Sequence, residues 1–513
     1  MKADRASSGT TAGSSYGQIL RSSSIVGGGE IANQLIGLVR TKAVAVLLGP
    51  AGMGLVGLYV SAAGFMGTIA LLGINQSGVR AVAEAAGEGD LARVSQVAKT
   101  LRRACWITGF FGWLLTAAVA YPLSVWTFES PERSTVIALL GCTVLLTALA
   151  GGETALINGV RRVGDLARIQ IYSSVITTIV AIGIYTWLRE KGIVPVIILT
   201  GVIQTAVSYY FARKIGLAAV DQSWAETAKN LRSLISLGLA FMYTGLLVNL
   251  VGLGTRTLVV REAGLEANGF YQAAWMISGM LATFILNAMG RDFFPRITAV
   301  HGDSTQITRL VNEQMEVGIL LGLPGLIGTV SLGHWLTTVL YSSKFSPAAE
   351  LLPFFCVGVF LRLVSWPMGF VLLAKNLSFA FSGIASAFQV AQLALTLLFL
   401  QRFGLPGAAA AFAGAEMLAL ILYYVAAKKV CSYQFSAPAV RMAVAGLLGM
   451  AAACVVFLIP SGLGNFVFGV LLTALSGVVC LVAVGRRLPA DHALMHSLDK
   501  IPWLGTLLAK VRH

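Results

Sequence analysis

Residues 23–52 read SSIVGGGEIANQLIGLVRTKAVAVLLGPAG. The middle of this stretch is apolar enough to enter a bilayer, yet it carries Glu30, Asn33, Gln34, Arg40 and Lys42. At about 100° per residue, Glu30, Asn33, Gln34, Gly37 and Thr41 share one helical face; Arg40 borders it and Lys42 lies further round. A charge deep in a bilayer costs about 2.5–3.5 kcal/mol on insertion scales, so such groups face a bundle interior or a water-filled cavity. The stripe is expected to line a cavity. The plainer reading of Glu30 is an ion pair that only holds a bundle together.

The surrounding chain has 513 residues, 57% hydrophobic and 12% charged, with 56 glycines that suit close helix packing in lipid. This is the composition of an all-α polytopic membrane protein. Strand-type alternation is absent, which argues against an outer-membrane barrel. Apolar runs of about 20 residues match the hydrocarbon thickness. They predict fourteen transmembrane helices: 24–48, 53–73, 104–126, 134–158, 166–188, 193–213, 232–253, 268–290, 315–341, 351–373, 378–401, 405–427, 439–459 and 464–484. The second is expected to continue as an amphipathic helix past Arg80.

Orientation follows from charge. With a cytoplasmic N-terminus, 27 of the 37 basic side chains fall in the tails and cytoplasmic loops. Six fall on the opposite side, and four (Arg40, Lys42, Arg256, Arg362) within or at the ends of spans. Basic residues are retained in the cytoplasm, so both termini are expected there. The net charge of +15 needs no nucleic acid to explain it, and no nucleic-acid module is evident.

The second half repeats the first. Residues 34–90 align without a gap to 249–305. Gln34 meets Asn249, Thr41 meets Arg256, Gly49 meets Gly264 and Gly87 meets Gly302. Each copy holds an even number of spans, so the halves keep one orientation. Two six-helix lobes are expected, related by an axis along the membrane normal, with a substrate site between them. The expected division is a disordered tail (1–22), a first lobe (23–213), a linker helix (214–231) and a second lobe (232–429). Two extra helices (430–485) and an amphipathic tail (486–513) follow, the tail lying on anionic membrane lipid.

No enzyme signature stands out. There is no Walker A sequence, no Ser/His/Asp set and no HExxH. GGGE at 27–30 reads as a helix contact or hinge, and GPAGMG at 49–54 as a tight external turn. The six cysteines form no CxxC, and of the five histidines only His492 and His496 are spaced like ligands, in a tail. Neither a metal nor a cofactor is expected. What remains is buried charge. Arg40, Lys42, Arg256 and Arg362 outnumber the acids within spans, Glu30, Glu153 and Glu416, and a cationic surplus suits an anionic substrate. Arg362 could equally pair with a glutamate, and Lys42 and Arg256 could snorkel to the interface. Asn33, Gln34 and Asn249 complete the polar lining. Each glutamate is a candidate for ion coupling by H+ or Na+, Glu30 first, because its repeat position is Gly245.

The stretch LVRTKAVAVLLGPAGMG at 38–54, with Lys42 seven residues before the GPAG turn, resembles the polysaccharide transporter branch of the multidrug/oligosaccharidyl-lipid/polysaccharide exporter superfamily. Within it the chain looks like Wzx-type flippases of O-antigen or common-antigen repeat units. NGVR at 158–161 and FFPR at 293–296 are weaker matches. The resemblance covers about residues 20–430. It implies that undecaprenyl-diphosphate-linked oligosaccharide moves from the cytoplasmic to the periplasmic leaflet of a bacterial inner membrane by alternating access. The product would pass to a polysaccharide polymerase and a chain-length regulator. It also implies that Arg40 and Lys42 line the central cavity; Arg256 is added through the repeat. Spans 13 and 14 depart from the twelve-span members. The rival readings are a drug/cation antiporter of the same superfamily, and a polymerase or ligase, which would need a sizeable external loop.

Overall fold

A computed structural model describes residues 10–218 and 220–486, which form helices and turns with no strand among them. The helices are α1 (Thr10–Leu71), α2 (Ile74–Gly87), α3 (Leu91–Ala118), α4 (Ala120–Phe128), α5 (Ser134–Gly159), α6 (Val163–Leu188), α7 (Ile193–Arg213) and α8 (Trp224–Ala299). They continue as α9 (Ser304–Ser331), α10 (Gly333–Leu340), α11 (Ser346–Ala349), α12 (Leu352–Ala374), α13 (Ser378–Phe403), α14 (Leu405–Cys431), α15 (Ala437–Phe457) and α16 (Leu463–Gly485). Residues 10–22, read from sequence as a disordered tail, are helical in backbone. The expected surface helix at 489–513 lies outside the described residues.

Ten stretches are long and apolar enough to cross a membrane. Three of them hold two spans each, divided at Gly49, at 189–192 and at Gly264. With the bent pair α3 and α4 (55°) counted as one more span, the described residues supply the fourteen expected crossings. The divisions have a common cause. Gly49 (φ 69°, ψ −171°) and Gly264 (φ 90°, ψ 174°) adopt a left-handed extended conformation essentially closed to other residues. Pro50 follows Gly49 at the start of the next helix, where its missing N–H costs nothing. The external turn read from GPAGMG thus rests on one glycine torsion pair, made twice.

The chain forms two compact units that divide at Arg261 and Glu262. The boundary lies at the Gly264 kink, beyond the linker expected at 214–231, so the first half of α8 belongs to the first unit. There α3 packs on α5, α5 on α7, α1 on α6 and α2 on α5. α1 ends where Leu72 and Gly73 turn left-handed (φ 49° and 68°). A Cβ on Gly73 would lie 2.1 Å from the Gly238 carbonyl oxygen, so the backbones of this turn and of α8 touch. The connector before α8 is strapped to α3: Gln222 Nε2 donates to Thr100 Oγ1 (2.7 Å), and the Arg103 guanidinium covers the Trp224 ring at 4.4 Å.

In the second unit α12 and α13 pack on α14, and α9 on α12. The added helices α15 and α16 pack chiefly on α9, whose Gly328 meets Thr473. The cores of the two units use matched positions of the repeat. Val82, Leu156 and Ala212 are buried in the first, and Ile297, Val371 and Ala427 in the second. Large apolar side chains such as Phe111, Ile179, Leu398, Leu448 and Leu471 are exposed, as lipid-facing positions require.

Candidate functional site: a polar cavity in the first unit

The first unit holds a cavity of about 830 Å³, walled by α1, α2, α5, α6, α7 and the first half of α8. Small residues make the space. Gly64 and Gly67 on α1, Gly151 on α5, Gly201 on α7 and Gly245 on α8 all line it. On α5, Thr143, Thr147, Ala150, Gly151 and Thr154 recur at helical spacing, so one narrow stripe faces the cavity. Gly151 lies against Asn75: a Cβ there would lie 2.1 Å from Asn75 Nδ2, and the carboxamide would have to shift.

Among the described residues that line it, Arg40 is the one charged side chain and none is an acid. It sits on α1 and interacts electrostatically with Tyr185 of α6. Asn249 of α8 donates to Thr68 Oγ1 (2.9 Å) and to the Gly245 carbonyl (3.0 Å). Several threonine hydroxyls are spent on their own helices: Thr143 donates to Leu140 O (2.6 Å), Thr154 to Ala150 O (3.0 Å) and Thr200 to Val196 O (2.8 Å). Their oxygens retain acceptor capacity.

Of the residues proposed from sequence, Arg40 and Asn249 line this cavity, while Asn33 and Gln34 are half-buried on α1 and do not. Lys42 is exposed and absent from the wall. Arg256 turns back to donate Nη1 to Gly252 O (2.9 Å), one helical turn before it on α8. Lys42 and Arg256 therefore do not join Arg40 among the described residues that line this cavity. The Glu30 side chain lies outside the described residues.

The other two glutamates are held in ion pairs. Glu153 on α5, only 8% exposed, receives both Arg102 Nε (2.7 Å) and Nη2 (2.9 Å) from α3. In the second unit Glu416 on α14, 4% exposed, receives Arg362 Nε (2.7 Å) from α12. The Arg362 guanidinium also lies over the rings of Phe388 (5.7 Å) and Phe412 (5.1 Å). Of the two sequence readings of Arg362, the structure has the ion pair.

Sequence reasoning missed Asn75, Gln76, Thr147, Gln204 and Tyr185, all on the cavity wall. Two signals were present: the small-and-threonine stripe of α5 inside an apolar run, and GINQS at 73–77 directly after the second span.

Comparison with known proteins places this geometry. The curated protein "Lipopolysaccharide biosynthesis protein WzxC" of Escherichia coli (strain K12) is 25% identical over 184 residues, 35% of this chain. The match spans 36% of that relative, about a third of its length. The solved structure of the lipid II flippase MurJ, in an inward closed conformation, superposes with a TM-score of 0.66 at 12% identity, over 90% of this chain and 99% of that one. An inward-facing multidrug resistance MATE family transporter of the MOP superfamily gives 0.65 at 15% identity, over 78% and 94%. These structures establish the fold. The family described as polysaccharide biosynthesis protein matches residues 19–301, more than half of the chain, and this multi-pass membrane protein belongs to that family.

Proposed function

We propose that this chain is a flippase of a bacterial inner membrane, with both termini cytoplasmic. It moves undecaprenyl-diphosphate-linked oligosaccharide from the cytoplasmic to the periplasmic leaflet by alternating access, and catalyses no covalent step. Family membership supports the substrate class. The observation that carries the reading furthest is the cavity wall, whose single charge among the described residues is the Arg40 guanidinium. Guanidinium binds phosphate oxygens in a bidentate fork, and each charge-assisted hydrogen bond contributes about 1.5–3 kcal/mol. Ion coupling by H+ or Na+ is assigned to Glu30 first, because Glu153 and Glu416 are already committed to arginines.

The second reading is a drug antiporter, which the likeness to the MATE fold favours. The described wall, whose one charge is a cation, opposes it, since a cationic drug needs a carboxylate or an aromatic cage to offset its desolvation.

Deletion of the gene, followed by analysis of surface glycan and of undecaprenyl-linked intermediates, tests the proposal. Intermediates should accumulate while surface glycan falls, and Arg40→Ala at normal protein level should lower transport about tenfold or more. Unchanged glycan and no accumulated intermediate in the deletion strain would overturn it.

A further inference from the structure

The cavity wall carries more unspent hydrogen-bonding capacity than its one charge accounts for. Asn75 and Gln76 stand at the start of α2, Thr147 on α5, Thr177 and Tyr185 on α6, and Gln204 on α7. None of the six side chains has a hydrogen-bond partner in the protein among the described residues. Asn75 is the sharpest case. Its carboxamide is pressed against Gly151, and its Oδ1 is shut off from solvent without a donor. A buried acceptor left unpaired costs about 1–3 kcal/mol, and this one belongs to a residue of the cavity wall.

The chemistry of these groups is specific. A carboxamide offers one acceptor and two donors, and a hydroxyl offers both roles. Such a wall complements a ligand that is itself dense in groups that donate and accept, without net charge. A diphosphate presents acceptors only, and would use the donors of this wall while leaving the acceptor capacity of Asn75 Oδ1 and of the α5 threonines unmatched. A cation would meet Arg40 and no acid among the described lining residues. Between the polar groups lie Val44, Val56, Val144 and Val196 and the Tyr185 ring, apolar surface of the kind that packs on the C–H faces of a pyranose.

We infer that the cavity of the first unit is a glycan subsite, in which the carboxamides of Asn75 and Gln204 read the hydroxyls of neutral sugar residues next to the diphosphate. Arg40 marks the end where the sugar-phosphate linkage lies. The inference rests on the flippase reading and adds which part of the substrate this cavity selects. Asn75 and Gln204 are then specificity residues, on two different helices, while the diphosphate depends on Arg40.

The test uses the full chain in nanodiscs and two probes. One is the undecaprenyl-diphosphate-linked oligosaccharide extracted from a strain deleted for this chain; the other is bare undecaprenyl diphosphate. Asn75→Ala and Gln204→Ala should each weaken binding of the sugar-bearing lipid about three- to tenfold, the loss of one or two neutral hydrogen bonds, and leave the bare lipid unaffected. Arg40→Ala should weaken both probes. The two carboxamide variants lie on separate helices, so a folding defect in one, read from its thermal midpoint, leaves the other as the test. Sugar-lipid binding unchanged in both variants overturns the subsite while the flippase reading stands. An equal loss for both probes also overturns it, by assigning the cavity to phosphate. A wild-type chain that binds neither probe brings down the flippase reading together with the inference.

Discussion

Gly49 and Gly264 carry one torsion pair at matched positions of the repeat, and nothing but glycine adopts it cheaply. Both have open space around a Cβ, so the constraint is backbone conformation and not crowding. Gly49→Ala is expected to cost about 1–3 kcal/mol, seen as a lower thermal midpoint of the purified chain in detergent. An unchanged midpoint would mean that the turn relaxes without loss. The ion pairs show the opposite balance. Arg102→Leu strands the Glu153 carboxylate in the bundle, at about 3–5 kcal/mol. Adding Glu153→Leu should restore most of that loss, because two apolar side chains need no solvation. A double variant no more stable than the single one would show that the pair contributes beyond mutual neutralisation. The glycine turn was legible in the sequence, since a Gly-Pro step between two apolar runs admits few conformations. The partner of Arg362 was not: pairing depends on the register of α12 against α14, which no local pattern encodes.

At the scale of elements, the repeat extends to the way helices begin. Asp90 caps α3, accepting from the N–H groups of Ala92 (2.8 Å) and Arg93 (3.1 Å). Asp303 caps α9 in the same way, accepting from Thr305 (2.9 Å) and Gln306 (3.0 Å), and both helices run for 28 residues. Asp90→Ala should lower stability by about 1 kcal/mol, measured by thermal unfolding. For Asp303, the backbone N–H of Gln306 first, with further help from its side chain and from Thr305, holds the carboxyl below its usual value. A depressed value in the folded state means that the charge contributes stability above the unfolded value of about 3.9 and loses it as pH falls through the folded one. The midpoint of Asp303→Asn should therefore trail wild type at pH 7 and converge with it in strong acid. A gap that persists at low pH would assign the cap's effect to shape instead of charge. The repeat is not perfect. The sequence suggested one helix from the second span past Arg80, whereas α1 breaks at Leu72 and Gly73 before α2 starts; at the matched place α8 runs on to Ala299. The break follows from the contact of Gly73 with Gly238, far away in sequence.

For the whole molecule, hydropathy and charge carried the reading furthest. Helices fall on all fourteen expected spans, because a backbone in lipid must satisfy its own hydrogen bonds and only length and apolarity decide where it does so. The cavity was less legible. Charge drew attention to Lys42 and Arg256, while the space was made by glycines and threonines that look like ordinary packing residues until the helices are set against one another. Topology offers the sharpest global test. α15 and α16 pack on α9, and their connection at 458–462 lies one crossing from the C-terminal basic residues. If 27 basic side chains mark the cytoplasm, Gly462 is external. A chain whose six native cysteines are replaced by serine or alanine and which carries Gly462→Cys should react with a membrane-impermeant maleimide applied from the periplasmic side. A cysteine placed at Lys375 should react only after the membrane is opened. Reaction at 375 before 462 would invert the topology and, with it, the direction in which the proposed substrate moves.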